Sequence, residues 1–105
     1  GAIVAQIGAA GVFKIFAGVS AAEALRIDAS GHLLPGSDAT KNLGSTSKRW
    51  DNLYVNDMHF SNEGSDGNDV DGTTGDWTLQ EGEEHLYIIN NKSGKKFKFS
   101  LEEVE

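Results

Sequence analysis

"LYIINNKSGKKFKFSL", residues 86–101, decides the fold class. Two short runs rich in β-branched and aromatic residues, "LYIIN" and "KFKFSL", flank "NKSGK", whose glycine supplies the backbone freedom a tight reversal needs. The stretch reads as a β-hairpin. In its second arm Phe97 and Phe99 fall on one face and Lys96 and Lys98 on the other, the pattern of a sheet with one wet side. The tail "LEEVE" extends or frays, and the run from Trp77 onward holds two or three strands in all.

Before the hairpin, "SNEGSDGNDVDGTTGD", residues 61–76, is a loop of glycines and acids. "WDNLYVNDMHF", residues 50–60, alternates, with Trp50, Asn52, Tyr54, Asn56 and Met58 on one side and Leu53, Val55 and Asp57 on the other, and so predicts a strand. Residues 31–50 are punctuated by turn formers and sustain no helical period, so they read as loop and short strand. "VFKIFAGV", residues 12–19, is a strand with apolar side chains on both faces. "SAAEALRID" could start a helix capped by Ser20, with Glu23 in the capping box. About two turns without an apolar stripe make a poor helix, so the reading is a strand, "ALRID", closed by the turn "ASGH". Residues 1–11 are too glycine-rich for a helix and too apolar to lie bare. The expected fold is all-β, built of short strands and a C-terminal hairpin.

The 105 residues make one small domain's worth of chain, with a thin core. There is no cysteine to staple it, so further stability has to come from partners. The apolar opening is cut by Lys14 short of the ~20 residues of a membrane span. Gly1 and a single methionine, Met58, suggest a piece of something longer or a processed product. The net charge of −7 is unevenly placed, because residues 51–105 hold thirteen of the sixteen acids. That balance repels phosphate and argues against nucleic-acid partners and anionic membranes.

"ALRIDASGHLLPGSDATKNLGSTSKRWDNLYV", residues 24–55, resembles the distal repeat of tailed-phage tail fibres and tail spikes, in which an "LRID-SG" strand runs into "LLP-D--NLGS-S-RW--LY". The remainder resembles a C-terminal module at the ends of structural proteins of marine and cyanobacterial phages. In many fibres the repeat leads into a self-trimming chaperone of the endosialidase type. The serine- and lysine-bearing segment of such chaperones does not follow Tyr54, so self-cleavage is not implied. What the resemblance implies is an interwoven homotrimer in the virion, meeting other tail proteins and a host surface glycan or outer-membrane receptor. On that reading residues 1–49 are a shaft-like trimerising β segment and residues 50–105 a C-terminal β domain. Val12, Phe13, Ile15, Phe16, Leu25, Ile27, Leu33, Leu34, Arg49 and Trp50 then form the trimer interface or core. Trp50 could equally be the core of a single chain.

Motifs for chemistry are sparse. Asp66, Asp69, Asp71 and Asp76 offer oxygens for calcium, with Asp66, Asp69 and Asp71 the candidate set. An EF-hand alignment fails, because Gly67 takes the first position and Thr78 the place of the bidentate glutamate. His32, His59 and His85 lack zinc spacing. No nucleophile elbow or phosphate loop occurs, and the pairs Glu83/Glu84 and Glu102/Glu103 would point apart on strands. The sequon "NKS" is turn chemistry. No cofactor and no catalytic residue is expected. Trp77, with Asp76 and Tyr54, is the candidate receptor or glycan contact, whereas Tyr87 and Trp50 read as core. A monomeric carbohydrate-binding β domain is the alternative, and a depolymerase fragment a third reading.

Overall fold

The computed structural model describes residues 6–8 and 11–105, and the chain divides into two compact units, Gly1–Asp51 and Asn52–Glu105. The readings that fall on residues 1–5, 9 and 10 lie outside the described residues. The fold is all-β: two four-stranded sheets, every neighbouring pair antiparallel, each strand hydrogen-bonded to the next in sequence.

The first unit holds β1 (Gln6–Ile7), β2 (Phe13–Ala17), β3 (Ala22–Ile27) and β4 (Leu33–Pro35). Within residues 20–28 the chain forms a strand, Ala22–Ile27, and not a helix; it starts two residues earlier than "ALRID" and stops one residue short of its end. The register sets Phe13 opposite Ile27 and Ile27 opposite Leu33, and Ile15 opposite Leu25, so these apolar residues share one face. On the other face lie Lys14, Arg26, Phe16 and Leu34. A bulge falls where Ile15 faces Leu25 but Phe16 faces Glu23, leaving Ala24 as the extra residue. Residues three apart on a regular strand point to opposite faces. The bulge brings Glu23 round to the face of Arg26, whose Nη2 and Nε donate to the carboxylate at 2.7 and 2.9 Å, with Lys14 Nζ 3.8 Å away. The fork-to-fork pair with Arg26 holds the Glu23 carboxyl below its usual range. The Ala24 carbonyl accepts a hydrogen bond from the Gly36 amide at 2.8 Å, which ties the end of β4 to the bulge.

The second unit holds β5 (Met58–Ser61), β6 (Asp76–Glu81), β7 (Leu86–Asn90) and β8 (Lys96–Lys98). The hairpin forms as its sequence demands: β7 and β8 pair across a turn in which Gly94 has φ +77° and donates its amide to the Asn90 carbonyl at 2.7 Å. One correction falls at residues 50–57. Only the end of that alternating run, from Met58, joins a sheet, and residues 53–55 have no ladder partner among the described residues. Alternation states that a segment suits a sheet; it does not supply a neighbour.

Candidate functional site

The register of the second sheet sorts its side chains. Met58, Leu79, Ile88 and Phe97 form one row across all four strands, and Phe60 and Trp77 the next pair on the same face. Trp77 and Phe97 meet with ring centroids 6.0 Å apart. Phe60, Leu86 and Phe97 on this face are still 47, 41 and 46% exposed. The opposite face mixes polar residues with Tyr87 and Ile89. There Thr78, 4% exposed and the only buried residue among the described ones, shares a hydrogen bond of 3.0 Å with His59 Nδ1 and accepts one of 2.9 Å from Asn91 Nδ2. Asn91 Nδ2 also donates to Asp76 at 3.0 Å.

No hydrophobic side chain among the described residues is buried. In the first unit Ile27, Leu33 and Leu34 are exposed, while Val12, Phe13, Ile15, Phe16 and Leu25 are half-buried. Leu25, Leu33, Leu34, Pro35 and Leu43 line an open groove of about 300 Å³. Arg49 is exposed, and Trp50, 68% exposed, is not the core of a single chain. A tight turn precedes it, in which Ser45 donates its amide to the Lys48 carbonyl at 2.9 Å and receives the Lys48 amide on Oγ at 3.0 Å. That turn carries the chain back so that Trp50 lies beside Gly44. Tyr87, also read as core, is 38% exposed.

The acidic loop is folded, and amides organise it. Asn68 Oδ1 accepts the amides of Val70 and Asp71, and its Nδ2 donates to Asp71 Oδ1 at 2.7 Å and to the Thr73 carbonyl at 3.0 Å. Asp71 Oδ1 also accepts from the amide and hydroxyl of Thr73. The Asn68 amide, with Thr73 behind it, holds the Asp71 carboxyl below its usual range. Asn62 Oδ1 accepts the Gly75 amide at 2.7 Å and closes the base of the loop. Asp71 is engaged within the loop, and among the described residues no group of three acidic or imidazole side chains is placed to hold a metal ion. The three histidines stand apart, His59 on Thr78, His85 edge-on to Tyr87 at 6.1 Å, and His32 giving its amide to Asp28.

Lys92 of the hairpin turn bridges to Glu63 at 2.9 Å, and Thr74 donates to the same carboxylate at 3.2 Å. Lys92 keeps the Glu63 carboxyl below its usual value. Between these elements runs an open groove of about 410 Å³ lined by Thr73, Thr74, Trp77, Asn90, Lys92 and Ser93. It sets the Trp77 indole among hydroxyls and amides. Asp76 and Trp77 are consecutive on β6 and so project from opposite faces. Tyr54, 89% exposed, lies in the unladdered segment. The three proposed contacts therefore do not form one site. No helix among the described residues is long and apolar enough to cross a membrane. Comparison with protein-family models, with curated proteins and with solved structures finds no match.

Proposed function

We propose that the chain is a non-enzymatic structural segment at the distal end of a phage tail fibre or spike, which trimerises, caps the fibre and presents a surface to a host receptor. One observation carries this reading: each sheet gathers apolar side chains on one face, yet no hydrophobic residue is buried among the described ones. A fibre end made of several copies covers such faces between chains, where each can use a thin, one-sided sheet as half of a core. The resemblance of residues 24–55 supplies the phage context. The groove beside Trp77 suits contact with a sugar, whose flat apolar side can rest on an indole while its hydroxyls meet Thr73, Thr74 and Asn90.

The test is the mass of the native particle by light scattering, with and without a calcium chelator. Three chains per particle, unchanged by the chelator, is the expected result. A stable single chain overturns the reading and favours a monomeric carbohydrate-binding domain.

A further inference from the structure

Building on that reading, we infer that residues 53–55 act as a donor strand, adding to the outer edge of β8 in a second copy of this chain. The donor is identified by what it has and what it lacks. Leu53, Tyr54 and Val55 are strand formers in an alternating run, are 60, 89 and 49% exposed, and have no ladder partner among the described residues.

The acceptor is identified by its backbone and charge. β8 is an outer strand, paired among the described residues with β7 alone. Asn90 donates its amide to the Lys95 carbonyl and Phe99 donates to the Leu86 carbonyl. By antiparallel alternation the main-chain groups of Lys96 and Lys98 therefore point away from β7, toward the free edge. Lysines on an edge discourage indiscriminate pairing. Here Lys95, Lys96 and Lys98 repel the same edge of another copy and attract a strand flanked by acids, which Asp51 and Asp57 provide. With Leu53 and Val55 on the side of Phe97, the apolar face gains a fifth strand. Tyr54 then falls on the side of an open groove of about 480 Å³ lined by Tyr87, Ile89, Lys96 and Lys98.

Geometry says that the edge belongs to another copy. The sheet order β5-β6-β7-β8 puts a strand beyond β8 four spacings from β5, about 19 Å. Val55 precedes Met58 by three residues, a reach of at most about 11 Å, and even Leu53 reaches no more than about 18 Å. The chain cannot fold back onto its own β8. Each copy then gives one strand and receives one, a head-to-tail contact that closes into a ring.

The experiment is amide hydrogen exchange on the native wild-type particle together with light scattering of Tyr54→Pro, whose ring removes a ladder donor. Slow exchange at residues 53–55 and single chains for Tyr54→Pro are expected. Lys96→Glu with Lys98→Glu should also disassemble the particle, and adding Asp51→Lys and Asp57→Lys should restore it. A wild-type particle of several chains whose residues 53–55 exchange as fast as an unfolded peptide overturns the inference and leaves the proposed function standing. A wild-type single chain overturns both.

Discussion

At the scale of single residues, two positions stand out by what surrounds them. A β-carbon on Gly36 would fall inside the contact shell of the Glu23 carbonyl, backbone against backbone, where nothing can yield. Gly36→Ala should therefore cost the first unit about 1–3 kcal/mol, read as a lower denaturation midpoint. Thr78 is the second. Its hydroxyl joins β5 to the hairpin turn through His59 and Asn91. Thr78→Val keeps the shape and the β propensity but removes both bonds, and a loss of about 1 kcal/mol is expected in urea unfolding. Ala21 and Ala39 hold positive φ, of 53° and 55°. Ala21→Gly should leave stability unchanged or raise it by up to about 1 kcal/mol, because glycine adopts this backbone without strain.

Among the elements, the acidic loop gives the clearest response to pH. The carboxyls of Glu63 and Asp71 are held below their usual values by Lys92 and Asn68. A depressed carboxyl contributes stability above its unfolded pKa and loses it as the pH falls through the folded one. The loop should thus resist protease at pH 7 and open as the pH drops below about 4, where unfolded carboxylates take up protons. Limited proteolysis across that range checks this, and equal resistance at pH 3 and 7 would count against it. Elements also show how much of the fold the sequence carried. The hairpin at residues 86–101 and the strand at Ala22–Ile27 were legible because turn chemistry and pattern are local. The bulge at Ala24 was not, since "AEALRI" alternates no differently with or without it; the signal was Glu23 lying three residues from Arg26, an ion pair that only a bulge permits on a strand. Residues 53–55 misled for a different reason, because pairing is a property of two segments and the sequence describes one at a time. The groove beside Trp77 was half legible: the tryptophan was found, but its neighbours Thr73, Thr74 and Asn90 lie on two other elements brought close by the sheet register.

For the whole molecule, the proposed function makes the apolar face of the second sheet set the tempo at which the protein comes into being. Under the proposed reading a chain released from denaturant can close its hairpins alone, yet its last step is a collision with its copies. Diluting the refolding mixture tenfold should leave the early change in circular dichroism unaltered and slow the final approach to the native particle severalfold or more.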